Sequence, residues 1–190
     1  AKLNLILGMN LDIEYIMPAH GIIWKDYIAD IIETYKDIAT QKAANKAVIV
    51  YESVWKHTQQ IAESLAEGFS DADMDVKVYQ LSDTKSSIVM REIMDAKVVC
   101  IGSGTYNNVM APSVAAFLEH IRPCKFKNKK GLAFAAYGWF NQVAKEIDTR
   151  MQQSGIESCH DVINQCYTPS DDQLEDYFNV AKEIAKKCQE

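Results

Sequence analysis

Short apolar runs that alternate with longer stretches of helical apolar spacing constrain this 190-residue chain more than any other feature. Lys46–Tyr51 (KAVIVY), Met74–Gln80, Lys97–Gly102, Lys130–Ala136 and Ile156–Ile163 are rich in β-branched and apolar residues and read as strands. Between and after them, His57–Phe69, Ser86–Met94, Pro112–His120, Gln142–Ser154 and Asp171–Lys187 place apolar residues on one helical face. The first and third strands are almost continuously apolar, as expected where helices cover both faces of a sheet. The pattern predicts a doubly wound α/β fold: a five-stranded parallel sheet of order 2-1-3-4-5, with its ligand at the switch point beyond the strand C-termini.

The residues before Lys46 do not share this repeat. Leu11–Met17 reads as a short strand, Pro18–Trp24 as a turn around His20, and Tyr27–Ile38 as a helix with Ile28, Ile31, Ile32, Tyr35 and Ile38 on one face. Thr40–Lys46 (TQKAANK) is polar and rich in small residues, as linkers are. Two segments are therefore expected, a strand-turn-helix appendage over residues 1–42 and the alternating domain over residues 43–190.

Composition narrows the function classes. A hydrophobic content of 48% supports a packed core, and a net charge of -6 with a pI near 5.3 disfavours nucleic acid and anionic membranes as partners. No basic stripe stands out to offset that charge. No apolar stretch approaches the roughly 20 residues of a membrane span, and no secretory leader is recognisable at Ala1. Cys100, Cys124, Cys159, Cys166 and Cys188 are odd in number and form no Cys-x-x-Cys pair, which points to reduced, packing thiols and a cytoplasmic protein.

Chemistry is expected in the loops that follow the strands. After the first strand, Tyr51-Glu52-Ser53-Val54-Trp55-Lys56-His57-Thr58 runs straight into a helix, so that unpaired amides and two hydroxyls can hold a phosphate. N-capping of that helix by Ser53 or Thr58 explains the same residues equally well. Glu52 reads equally as a solvated loop charge. Gly102-Ser103-Gly104-Thr105-Tyr106-Asn107-Asn108 follows the third strand and Ala136-Tyr137-Gly138-Trp139 the fourth, each joining backbone amides to an aromatic side chain. Packing accounts for one such loop. Three at neighbouring positions describe a site for a planar, monophosphorylated ligand.

The spacing of these three loops resembles the flavodoxin-like domain of flavodiiron proteins, the A-type oxygen or nitric oxide reductases, over essentially the whole chain. That resemblance implies FMN as cofactor. Ser53, Val54, Trp55, Lys56, His57 and Thr58 would enclose its phosphate, and Ser103, Gly104, Thr105, Tyr106, Asn107, Asn108, Ala136, Tyr137, Gly138 and Trp139 would flank its ring. Two positions depart from the family pattern. Gly104 stands where proline is common, and Phe140-Asn141 where Ser-Gly is usual. In the family a metallo-β-lactamase-like domain comes first and ends in a Pro-x-His-Gly motif that supplies the last ligand of a diiron centre. Pro18-Ala19-His20-Gly21 is similar to that motif.

The resemblance also implies a redox donor such as rubredoxin and a head-to-tail homodimer. The upstream His-x-Glu-x-Asp-His motif that carries most iron ligands is absent, and His20, His57, His120 and His160 form no paired ligand motif. The expectation is a chain that binds FMN and no iron, with His20 as an orphan ligand and no catalytic side chain. Alternatives are a free-standing flavodoxin-like electron carrier, a small quinone reductase, or a phosphoryl receiver domain, which shares this fold. The first strand lacks the acidic cluster a receiver needs.

Overall fold

The computed structural model describes residues 2–189. Two helices, α1 (Lys2–Gly8) and α2 (Ile28–Thr40), come first. The alternating region then runs β1 (Lys46–Glu52), α3 (His57–Asp71), β2 (Asp75–Gln80), α4 (Ser86–Met94) and β3 (Val98–Tyr106). It continues through β4 (Val109–Met110), α5 (Pro112–Ile121), β5 (Lys130–Tyr137), α6 (Val143–Gln153), β6 (Glu157–Ser158), β7 (Ile163–Cys166) and α7 (Asp171–Gln189). Contacts divide the chain into two units, with the boundary between Lys42 and Ala43.

In the larger unit the parallel sheet has the order β2-β1-β3-β5-β6, with β7 also paired to β5. The predicted 2-1-3-4-5 order is therefore observed, its fifth strand split into β6 and β7. Successive strand residues point to opposite faces. Val48, Val50, Val99, Ile101, Ala133 and Ala135 face a core built with α4, α5 and α6. Ala47, Ile49, Val98, Cys100, Leu132 and Phe134 face a second core built with α3 and α7. All of β1 is buried, which accounts for its unbroken apolar run.

Four features of the larger unit depart from the sequence reading. The third strand continues past Gly102 to Tyr106, so Ser103, Gly104 and Thr105 are strand residues and not a loop. Asn107 and Asn108 then take φ values of 46° and 68°, the two-residue hairpin turn that returns the chain as β4. The fifth strand bulges: β5 advances from Gly131 to Phe134 while its partner advances from Ser158 to Ile163. Finally, Arg122, Lys125, Lys127, Lys129 and Lys130 form a basic run that the composition argument passed over. The fold disperses it, pairing Arg122 with Glu119 and Lys130 with Glu157 and burying Lys129.

In the smaller unit, Leu11–Met17 is not a strand. A single antiparallel bridge joins Ile16 to Trp24, with N-H to O distances of 2.9 and 3.0 Å, and closes the loop that presents His20 to solvent. The turn and the following helix lie where the sequence put them, and Tyr35 and Ile38 of that helix remain exposed. α1 was not foreseen, because Leu3 to Leu7 is a short apolar run without a distinguishing period.

Lys129 gives the fold a pH dependence. It is 2% exposed, and its ammonium donates to the carbonyls of Met94 and Ala96, both at 2.9 Å. Burial pushes its pKa down to about 8, with Asp95 opposing the shift and Lys46 reinforcing it. The unfolded chain therefore holds more protons than the folded one between the folded value of about 8 and the ordinary 10.5. Stability from this group must rise with pH across that window, the penalty for a buried charge being complete below it. Urea unfolding should show this rise in the wild type and lose it in Lys129→Met; identical slopes in the two proteins would contradict the assignment.

Candidate functional site: a cleft at the C-terminal edge of the sheet

The strands β1, β3, β5 and β7 all deliver their C-terminal ends to one edge, where their connections enclose a cavity of about 300 Å³. Its walls include Ser53, Val54 and Trp55 from the β1–α3 connection, His57 and Thr58 from the start of α3, Gly104, Thr105 and Tyr106 from β3, and Ala136, Tyr137, Gly138 and Trp139 from the end of β5 and the turn after it. The three predicted segments thus converge. Lys56, Ser103, Asn107 and Asn108 do not line the cavity.

Each of those four has a structural place. Lys56 takes the N-cap position of α3 with φ 66° and points to solvent. Ser103 is fully buried beneath the site, where its hydroxyl accepts from the Ala111 amide at 2.8 Å and donates to the Gly104 carbonyl at 2.7 Å. Asn107 and Asn108 form the hairpin turn, and Asn108 Oδ1 also accepts from Trp139 Nε1 at 3.2 Å.

Neither Ser53 nor Thr58 caps α3. The helix begins without any side-chain cap. Among the described residues, the amides of Val54 to Thr58 donate no hydrogen bond, so they keep the partial positive charge of a free helix start. The Ser53 amide is already engaged, donating to its neighbour Glu52 at 3.0 Å. Trp55 and Trp139 are each 80% exposed on the cleft, whereas Thr58 is buried at its floor. Burial, and secondarily the carboxylate of Glu52, raises the Tyr106 hydroxyl above its ordinary pKa, so it remains a neutral donor at physiological pH.

Two contributors escaped the sequence reading. Tyr167, directly after β7, lines the cavity with a φ of 57°, unusual for a bulky residue. Its amide donates to the Tyr137 carbonyl at 2.8 Å, and its ring lies so close over Gly138 that an added Cβ there would stand 3.3 Å from it. Thr168 Oγ1 shares a hydrogen bond of 3.1 Å with His57 Nε2, tying the β7–α7 connection to the α3 start. The strand bulge shifted β7 beyond the predicted strand end and so concealed both. Glu52, which sequence left as a possible loop charge, is 8% exposed. It accepts from Gln80 Nε2 at 2.9 Å and from Ser113 Oγ at 3.1 Å, besides the Ser53 amide.

Comparison with known proteins bears on what occupies the cleft. The flavodoxin family model matches residues 49–187, more than half of the chain. The chain belongs to the flavodoxin family. It is 39% identical over 156 residues to a nitric oxide reductase of Moorella thermoacetica, covering 82% of this chain and 39% of that protein. It is 32% identical over 189 residues to the anaerobic nitric oxide reductase flavorubredoxin of Pectobacterium carotovorum, covering 98% and 37%. The solved structure of rubredoxin oxygen:oxidoreductase from Desulfovibrio gigas superposes with a TM-score of 0.94 at 31% identity, over 99% of this chain and 47% of that one. The chain thus spans less than half the length of these relatives. Its flavodoxin-like domain is of the flavodiiron type.

FMN is the cofactor of this flavodoxin-family domain. The residues fit it, with free amides at a helix start for a phosphate and aromatic walls for a flat ring. The buried Thr105 hydroxyl on the cleft, unpartnered among the described residues, offers a further polar group. No helix among these residues is long and apolar enough to cross a membrane.

The link between His57 and Thr168 sets a stability expectation. Thr168→Val removes one hydrogen bond between two site segments and should cost about 0.5–1.5 kcal/mol. Urea unfolding measures the loss, and an unchanged midpoint would show that the contact holds nothing together.

Proposed function

We propose that this chain is the FMN-binding electron-transfer part of a longer flavodiiron oxygen or nitric oxide reductase. It would accept electrons from a small redox protein such as rubredoxin and pass them toward a diiron site whose ligands lie mostly outside these residues. The single observation that carries this reading is the uncapped start of α3 opening onto an aromatic cleft at the sheet's switch point. FMN, when bound, supplies reversible electron transfer.

The protein's part is to bind and orient. The amides of Val54 to Thr58, with the Ser53 and Thr58 hydroxyls, would hold the phosphate without any lysine or arginine. Tyr106, Tyr137, Trp139 and Trp55 would wall the ring, Asn108 steadying Trp139 from behind. Gly104 and Gly138 keep the backbone free of side chains where a planar group must approach closely. No side chain is assigned a role in acid-base or nucleophilic chemistry.

Residues 1–42 read as the end of a metallo-β-lactamase-like domain, with His20 as the last iron ligand of the parent protein. Flavorubredoxin and rubredoxin oxygen:oxidoreductase are the names of relatives, which supports a rubredoxin-type donor. Head-to-tail pairing of two chains would complete the route from flavin to iron.

The test is cofactor uptake by the purified chain. FMN should bind with a shifted visible spectrum and quenched fluorescence, and riboflavin, lacking the phosphate, at least about a hundredfold more weakly, as the loss of several charge-assisted hydrogen bonds requires. Equal affinity for the two would remove the phosphate role from α3, and failure to take up either would sink the reading.

A further inference from the structure

Tyr167 stands on the cleft wall with φ 57°, a conformation that glycine or asparagine adopts at lower cost than a bulky residue. The fold imposes it from both sides. Before it, the Gln165 side chain is 2% exposed, donates to the Cys166 carbonyl at 2.9 Å and to Gln173 Oε1 at 3.2 Å, and accepts from the Tyr177 hydroxyl. After it, Pro169 is buried, and Ser170 and Gln173 cap the start of α7 reciprocally. The Ser170 amide donates to Gln173 Oε1 at 3.0 Å, and the Gln173 amide to Ser170 Oγ at 3.3 Å. The Tyr167 amide and the Thr168 hydroxyl complete the anchoring through Tyr137 and His57. Each of these bonds is made by the Tyr167 backbone or by its neighbours.

The Tyr167 side chain is not part of that framework. It is 62% exposed, belongs to neither hydrophobic core, and its hydroxyl bonds no other described residue. Its ring lies against Gly138, where the missing side chain leaves room for it. The chain therefore holds a large aromatic residue where a small one would be less strained and would bury no less of the core. Strain of this kind persists where surrounding structure imposes it, and it gathers at ligand-binding walls. An exposed ring on such a wall gains its packing partner when a flat ligand enters.

We propose that Tyr167 is a further cofactor-binding residue, supplied by a fourth segment, the β7–α7 connection, and that its ring packs on bound FMN and slows its release. The proposal rests on the reading of the cleft as an FMN site. The ring makes the contact and the hydroxyl is dispensable. In the empty chain the same residue is a source of strain.

The test compares the full chain with Tyr167→Gly, Tyr167→Asn and Tyr167→Phe by fluorescence titration with FMN, by the rate of FMN release, and by urea unfolding without FMN. Tyr167→Gly and Tyr167→Asn should bind FMN about tenfold more weakly, the scale of one lost aromatic contact, with the loss appearing as faster release. Without FMN, both should unfold at a higher urea concentration than wild type, because each relieves the positive-φ strain. Tyr167→Phe keeps the ring and should stay within about threefold of the wild-type affinity. Wild-type affinity in Tyr167→Gly and Tyr167→Asn would overturn the proposal. So would FMN-free variants less stable than wild type, which would make Tyr167 a packing residue, and an equal loss in Tyr167→Phe, which would assign the contact to the hydroxyl. Should Tyr167→Gly alone fail to fold, Tyr167→Asn decides on the same criteria. Wild-type protein that takes up no FMN would instead remove the cofactor reading and this inference together.

Discussion

The burial of β1 along its whole length organises the rest of the molecule. A parallel strand covered on both faces needs helices above and below the sheet, and each return connection must be right-handed. With β1 inside, β2 goes to one side and β3 to the other, and the chain has to reverse direction at the junction. The gap between the outgoing connections at that junction is the cleft. The site is therefore a consequence of topology, and its position needs no feature beyond the order of the strands.

The two ends of the sheet carry different electrostatics. At the N-terminal edge, Lys46 is buried against Glu92 and Asp95 at 2.7 and 2.8 Å, and Lys129 is held by backbone carbonyls. At the C-terminal edge the walls hold hydroxyls, aromatic rings and free amides, while the Glu52 carboxylate lies buried beneath them. A phosphate held there, as we propose, would be met by dipoles and not by cations. Rigid packing maintains this arrangement: α3 approaches α7 so closely that a Cβ at Gly68 would stand 2.2 Å from the Phe178 carbonyl oxygen. That contact fixes the helix whose free start faces the cleft.

Much of this was legible from residue order alone. The period of KAVIVY and KVVCIG, and the helical spacing between them, sufficed for a doubly wound sheet; the strand order came from the commonest arrangement of five such strands, which is the one observed. The junction of Ser53 to Thr58 with a helix located the anion-binding candidate, although sequence left it level with an ordinary cap. Only the helix start itself shows that neither hydroxyl is a cap, because a hydroxyl near a helix start looks the same in sequence whether or not it bonds the amides. Tyr167 was hidden because a bulged edge strand breaks the period-two pattern used to place its end. Adjacent Asn107 and Asn108 between apolar residues carried a readable hairpin signal that was instead absorbed into the loop assignment. The burial of Glu52 had no local signature; it depends on Gln80 and Ser113, which are remote in sequence.

The most direct test of the central claim, that the free start of α3 is the anion-binding element, is a set of backbone amide NMR spectra recorded as FMN is added. The account predicts that the largest downfield shifts fall on Val54 to Thr58, with smaller shifts on Thr105, Tyr106, Tyr137 and Gly138. Shifts concentrated at the opposite edge of the sheet, around Lys46 and Lys129, or the absence of any change at Val54 to Thr58 in protein that has bound FMN, would contradict it.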